Sequence, residues 1–317
     1  CILGLVHTNE NEVEVPDCLI AIIPNQECSK ININKEFIAD DFLKLTWHGI
    51  PNILSSDHLE WEGIQEASKS CEKPFDESHL NFGKELEVLS DLLDNDTYSL
   101  QKAIHQRRSA VSMDRKTRID RKTFYQFLIK TNPQLNPAPF QSFPWEPQVH
   151  LGLFVHRVND LPTGLYFLVR NKSHLEELRE KFKKEFLWKK PDSCPEDLDL
   201  FLLEQGDYLG ASKSVSCGQD IAGDGCFSLG MISAFEKPLT QYGSWFYPRL
   251  FWECGAVGQV LYLQAEVSGI RSTGIGCFFD DPVHDIFGIK DMRYQSLYHF
   301  TVGGPVEDKR LTTLPPY

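Results

Sequence analysis

Apolar residues recur along this chain in two rhythms, and each predicts a different kind of element. From residue 149 the run "VHLGLFVHRV" and, after a short loop, "TGLYFLVR" are apolar or alternating over strand lengths, which predicts a pair of strands. The opening stretches "CILGLV" and "CLIAII" read as two more. Helical spacing dominates elsewhere. Leu100, Ala103 and Ile104 share a face in "YSLQKAIHQRRS", with Ser99 placed to cap it. Phe124, Phe127 and Leu128 do the same in "RKTFYQFLIKTNP", with Pro133 beyond its end, as do Leu175, Leu178, Phe182 and Phe186 in "HLEELREKFKKEFLW". The strongest helix is "FWECGAVGQVLYLQAEVSG", where Gly255, Ala256 and Gly258 permit close approach of another backbone and Gly269 supplies the stop. Nearer the start, Ser55 or Ser56 is placed to cap a helix carrying Leu59, Ile64 and Ala67, and an acidic amphipathic helix follows before a turn-forming stretch at 94–99.

Past the long helix, "IRSTGIGCFFDD" reads as a glycine-rich turn, and "SLYHFTVGGPVEDKRL" as a strand, a turn and a basic pair. Residues 191–207 are acidic and mixed and are expected to cover a core edge. Helices outnumber strands while the strands are spread along the chain, which is an α+β layout rather than βαβ repetition. The turn near residue 98 divides the chain into an N-terminal segment, 1–97, and a domain, 98–317. The chain begins without Met and already in a strand. Two readings follow: a piece of a longer protein, whose first strands are the tail of a preceding copy, or a processed N-terminus.

With 317 residues, 41% of them hydrophobic, the chain can bury one large core or two modest ones. Its formal charge of −13 argues against a nucleic-acid partner, because phosphate backbones reward clustered Lys and Arg. No apolar run approaches the roughly 20 residues of a membrane span, and no signal segment opens the chain, so the expected setting is soluble and cytoplasmic. The nine cysteines are odd in number and lack a CxxC pair, which predicts reduced thiols, with Cys254 and Cys277 as small buried residues. His48, His58 and His79 lack metal-ligand spacing, and His150 and His156 share a strand face without a third ligand. Asp280 and Asp281 beside His284 are expected in a loop.

Chemistry concentrates in three places. Arg107, Arg108 and Ser109 close a helix with guanidinium groups beside a hydroxyl, the donor set a phosphate monoester needs. A solvated helix end would look the same. Thr273, Gly274, Ile275 and Gly276 offer backbone that a planar ring can approach closely, or a plain helix-to-strand turn. Lys309 and Arg310, after a glycine pair and a proline, either return to the same anion or form a surface basic pair.

In order and spacing these signals resemble the nitroreductase family of FMN-dependent oxidoreductases, from about residue 98 to 317. The matching pieces are the helix ending in "RRS", the helix "FYQFLIK", the strand "GLYFLVR", the helix "ECGAVGQVLYLQAEVSGI" leading into "TGIGCF", and "LYHFTVGG" with a basic residue soon after. The "GLY" strand and the Glu-x-Gly-x-x-x-Gln helix are most similar to the peptide-azoline dehydrogenases. The resemblance implies a mainly antiparallel sheet wrapped by helices. It implies that Arg107 and Ser109 hold the FMN phosphate with Arg108 beside them, that the amides of Gly274, Ile275 and Gly276 face the flavin ring near N5, and that Lys309 or Arg310 reaches back to the phosphate. A homodimer, or an intrachain pseudo-dimer of two copies, is implied as well, with a small-molecule or peptide substrate and NAD(P)H as an electron donor by analogy.

The departures define a second reading. The residues after the serine, "AVSMD", are neutral to acidic, and "QSFPWEP", with Trp145 and Ser142, stands where the family often has a Pro-Ser-x-Gly loop. That reading is a flavin-free interaction or scaffolding unit. No catalytic acid or base transfers; Tyr242, Tyr247 and Arg249 read equally as core or edge residues, and Ser109 lacks the nucleophile elbow and partners of a hydrolase. The segment from Leu187 to Tyr247 carries no motif and is expected to shape the pocket.

Overall fold

The computed structural model describes residues 61–74, 100–135, 138–310 and 312, together with the strand backbone at 2–3 and 20–21. The chain divides into two units, Cys1–Glu72 and Lys73–Tyr317. In the first, β1 (Ile2–Leu3) pairs antiparallel with β2 (Ile20–Ala21), so both opening runs contain strand, as their apolar pattern implied. Helix α1 (Ile64–Ser70) starts at Gly63, whose φ of 86° a side chain rarely adopts. The expected caps Ser55, Ser56 and Ser99, Leu59, the acidic helix before residue 94, and His48, His58 and His79 lie outside the described residues.

The second unit holds α2 (Leu100–Gln106), α3 (Arg121–Thr131), β3 (Val149–Val155), β4 (Gly164–Leu168), α4 (Leu175–Lys181), β5 (Leu200–Gln205), α5 (Leu209–Val215), α6 (Ile221–Asp224), β6 (Phe227–Ala234), α7 (Glu236–Tyr242), α8 (Tyr247–Val267), β7 (Arg271–Ile275), α9 (Asp280–Phe287) and β8 (Tyr294–Gly303). Six strands form one sheet in the order β5-β4-β3-β6-β8-β7, and every neighbouring pair is antiparallel. The fold is α+β, as the sequence pattern implied.

Both faces of this sheet are covered, so β3 and β6 are buried along their whole length. The strand period of two sorts β3 between two cores. Val149, Leu151, Leu153 and Val155 pack with α3 and α8, whereas Phe154 packs with α4 and α9. Gly152 shares the second face, where the Phe287 ring occupies the place a Cβ would need. On the first face α8 buries Leu250, Cys254, Val257, Leu261 and Ala265 at helical spacing.

A buried ion pair fixes that helix. Arg170, 1% exposed at the end of β4, donates to Glu253 of α8 at 2.5 Å, and Glu253, 2% exposed, also accepts the Gln148 and Val149 amides at 2.9 and 3.2 Å. Arg170 continues to the carbonyls of Thr131 and Val149, both at 2.7 Å, so α3, β3, β4 and α8 converge on one guanidinium. Charges are buried at tolerable cost only when they are paired and hydrogen-bonded in this way. Glu253, the first residue of the Glu-x-Gly-x-x-x-Gln pattern, is therefore a structural anchor.

Several expectations are corrected. Residues 191–207 contain the edge strand β5, and the motif-free stretch 187–247 contains the central strand β6. The "RSTGI" turn is strand β7. Helix α4 ends at Lys181, and Phe182 and Phe186 are buried from beyond it. Of the expected α2 face only Ala103 is buried; Leu100 and Ile104 are 63% and 44% exposed. Gly258 lies against Phe300, while Gly255 faces open space. Asp280 and Asp281 open helix α9 rather than a loop, and His284 Nε2 on that helix accepts the Ser296 amide at 3.0 Å. Cys254 is buried, but Cys277 is exposed and disulfide-bonded to Cys217. Spacing could not show this pair, since 60 residues separate its members. Among the described residues no helix is long and apolar enough to cross a membrane.

Candidate functional site

Helix α8 carries Tyr262 on the turn before its end. Gly269, at φ 68°, then reverses the chain, with the Ile270 amide bonded back to the Ala265 carbonyl at 3.0 Å. The reversal returns β7 alongside α8, and the Gly274 N–H donates to the Tyr262 hydroxyl at 3.0 Å. The same hydroxyl lies 2.8 Å from Ser109 Oγ, and the Arg107 guanidinium sits over the Tyr262 ring, 5.2 Å from its centroid. Ser109 bridges to Ser272 in parallel; the Ala110 amide donates to the Ser272 carbonyl at 3.0 Å, and Thr273 Oγ1 donates to the Ala110 carbonyl at 2.6 Å. Sequence positions far apart thus meet at one phenol.

The C-terminal segment joins a few residues further on. Met113 bridges to Pro305, the Asp114 amide donates to the Gly304 carbonyl at 2.9 Å, and the Val306 amide donates to Ser112 at 3.0 Å. Beyond that point Arg310 grips Asp308, with Nε to Oδ1 at 2.9 Å and Nη2 to Oδ2 at 2.7 Å, and Lys309 is exposed. The structure brings Arg107, Ser109 and Gly274 together. Among the described residues no hydrogen bond ties Lys309 or Arg310 to them. Arg108 turns onto its own helix end, donating to the carbonyls of His105 and Arg107 at 3.0 and 2.7 Å.

Unmatched donors remain at the junction. Arg107 is half-buried and has no carboxylate partner among the described residues, and Ser272 Oγ is buried with no hydrogen-bond partner, while the exposed Ser109 shares its hydroxyl with Tyr262. For a phosphate monoester this donor set fits. The glycine segment is less open. The Gly274 amide is committed to Tyr262, and the space beside its Cα is filled by the Tyr298 hydroxyl. Ile275 is buried and Gly276 is exposed. Burial raises the Tyr298 pKa, with Tyr262 and Cys254 adding to the shift, so the phenol stays protonated. His299, opposite Ile275 in the ladder, is held neutral by burial, its pKa lowered to about 4, and Phe278 stacks on it at 4.5 Å.

Sequence reasoning missed Tyr262 and Tyr298, because a tyrosine on a buried helix or strand face reads as core. The remaining candidates settle into packing roles. Trp145 stacks on Phe143 at 4.9 Å, Ser142 bonds the Pro139 carbonyl, Tyr242 stacks on Phe246, and Arg249 lies between the rings of Trp245 and Trp252. His150 Nε2 lies 3.0 Å from His174 Nδ1, and His156 Nε2 lies 3.3 Å from Ser212 Oγ. Among the described residues no His, Cys, Asp and Glu cluster could hold a metal.

The profile of the nitroreductase family matches residues 134–304. The chain belongs to the nitroreductase family. The match includes β3 to β8 with Gly274, Ile275 and Gly276, and leaves Arg107, Arg108, Ser109, Lys309 and Arg310 outside it. No curated protein matches the chain. Among solved structures, a nitroreductase-annotated protein of Anabaena variabilis is similar at 20% identity with a TM-score of 0.51, over 65% of this chain and 38% of that one. This nitroreductase-family chain therefore spans well under half the length of that relative. A counterpart from Ralstonia eutropha is similar at 13% identity with a TM-score of 0.46, over 67% and 85% of the two chains. The E. coli microcin synthetase McbBCD complex is similar at 16% identity with a TM-score of 0.47, over 84% and 87%. At 20% identity the likeness to the Anabaena variabilis structure is one of fold alone.

Proposed function

We propose that this chain binds FMN and works as an FMN-dependent oxidoreductase on an organic substrate, small molecule or peptide, with NAD(P)H as a candidate electron donor. The observation that carries the reading is Tyr262, whose hydroxyl joins Ser109 to Gly274 and whose ring lies under the Arg107 guanidinium. Arg107 and Ser109 would hold the phosphate, with Arg108 stiffening the helix end behind them. Gly276 would present its amide to the ring, while Gly274 keeps its bond to Tyr262 and the Ile275 amide faces β8 in the ladder. Of the C-terminal pair, the exposed Lys309 would be the candidate second grip, since Arg310 would first have to leave Asp308. When bound, the flavin supplies two-electron hydride chemistry; the chain supplies the anion grip and a covered edge of sheet. The proposed setting is cytoplasmic and the proposed assembly a homodimer or a pseudo-dimer within a longer chain.

One observation favours a second reading. Tyr262 and Tyr298 occupy the amide and the open side of Gly274, the position where ring approach was expected, which suits a flavin-free interaction unit. Purification separates the two. A yellow protein with flavin absorbance near one per chain, lost in Arg107→Ala, supports the enzyme. A colourless protein whose intrinsic fluorescence is unchanged on titration with FMN supports the interaction unit.

A further inference from the structure

We propose that Cys217 and Cys277 form a thiol–disulfide exchange site that clamps the end of β7 to the turn between α5 and α6, with a soluble dithiol as its reductant. The bridge spans 60 residues of chain and lies at the surface. Cys277, exposed, directly follows Gly276, and Cys217, half-buried, follows the end of α5; Gly218 and Gly276 on either side are exposed too. A dissolved thiol therefore reaches the bridge from the exposed Cys277 side, and exposure is the condition that marks labile disulfides. The neighbouring cysteines of this unit differ. Cys226 and Cys254 are buried, and burial pushes the Cys226 thiol up to about 11 and that of Cys254 higher still, so neither offers a thiolate near neutral pH.

The clamp holds a segment that otherwise has few ties. The Phe279 amide donates to the Val215 carbonyl at 2.8 Å, Gln219 Nε2 donates to the Cys277 carbonyl at 3.3 Å, and Phe278 stacks on His299. Cys217 itself sits at φ 55°, a left-handed conformation unfavourable for a residue with a Cβ. Cleaving the bridge removes the covalent restraint from a strained turn and from the four residues 276–279 that follow the strand.

The exchange balances as follows. A thiolate of the dithiol attacks Cys277 Sγ, forming a mixed disulfide and expelling the Cys217 thiolate, which takes a proton. The second thiol of the reductant then displaces Cys277, which takes a proton in turn, and the reductant leaves as its own disulfide. The bridge gains two electrons and two protons. This reading rests on the exposure and connectivity of the pair and stands whether or not the chain binds flavin.

The native chain is equilibrated in oxidised glutathione or in dithiothreitol without denaturant, alkylated while still folded with excess iodoacetamide at mildly alkaline pH, and mapped by peptide mass. Cys217 and Cys277 should be linked and unlabelled in the first buffer and both labelled after the second, with Cys226 and Cys254 unlabelled throughout. Deuterium uptake across 276–279 should rise on reduction, and Cys217→Ser should trap glutathione on Cys277. A chain with no linked peptide in any buffer, a bridge that yields only in denaturant, or uptake at 276–279 unmoved by reduction overturns the proposal. The wild-type measurements decide it even where the variant fails to fold.

Discussion

The hydroxyl of Tyr262 receives the backbone N–H of Gly274 at 3.0 Å and touches Ser109 on its other side, so one oxygen joins the helix end, the edge strand and the arginine segment. Tyr262→Phe keeps the ring and deletes that oxygen. Leaving the Gly274 amide without its partner should cost about 1–3 kcal/mol, read as a Tm lower by several degrees. In the flavin reading the variant also weakens FMN binding, because Arg107 and Ser109 lose their common support; an unchanged Tm and an unchanged Kd would show the contact to be incidental.

Arg107 and Arg310 differ in what already neutralises them. Arg310 forms a two-point grip on Asp308, whereas Arg107 has no carboxylate partner among the described residues. A charge-assisted bond to phosphate contributes about 1.5–3 kcal/mol. Arg107→Ala should therefore weaken FMN binding about 10- to 100-fold, while Arg310→Ala leaves it within error. Isothermal titration of both variants checks the contrast, and the reverse order would reassign the phosphate to the C-terminal segment.

The Arg170–Glu253 pair should behave as a buried couple rather than as two contacts. Removing one member by Glu253→Leu or Arg170→Met leaves an uncompensated charge in the core and should destabilise the fold by about 3–5 kcal/mol. The double variant Arg170→Met with Glu253→Leu should recover part of that loss. Chemical denaturation of the single and double variants gives the coupling energy directly.

Loop entropy predicts the contribution of the Cys217–Cys277 bridge. With its cysteines 60 residues apart, the chain-entropy relation assigns the crosslink about 4 kcal/mol. Urea unfolding of the oxidised protein against the Cys217→Ser, Cys277→Ser double variant should show a difference of that order, and the same protein in dithiothreitol should approach the variant.

Acid should weaken the fold through its buried histidines. Burial lowers His156 and His299 to about 4, below their ordinary value of 6.5. The unfolded chain therefore takes up protons first as pH falls below 6.5, and stability drops from there until about pH 4, where the folded histidines protonate too. Each histidine contributes a slope of about 1.4 kcal/mol per pH unit inside that window. Urea midpoints measured from pH 7 to pH 4 should fall, and His299→Asn should flatten part of the slope.

Elements with a clear period were legible in the sequence. The strands β3 and β4 and the helices α3 and α8 each present a regular apolar face, and each lies where its pattern placed it. β6 was not legible. Its sequence "FSLGMISA" is covered on both faces, so it shows no alternation, and its glycine and serines dilute the apolar run. β7 has little strand propensity of its own; the reversal at Gly269 and the ladder to β8 make "RSTGI" a strand. The exposed Leu100 and Ile104 show the converse case, a helical pattern without a surface to bury it.

Local composition alone determined that this protein has an α+β core, an arginine–serine helix end and a glycine-rich segment following a long helix, because spacing and residue type are properties of neighbours in the chain. Tertiary structure decided the rest: that Tyr262 is the point where those segments meet, that Tyr298 fills the space beside Gly274, and that Cys217 is bonded to Cys277. Each of the long-range pairings depends on how α8 turns back at Gly269 and how the sheet is ordered, and contacts between residues tens of positions apart leave no periodic trace in the sequence.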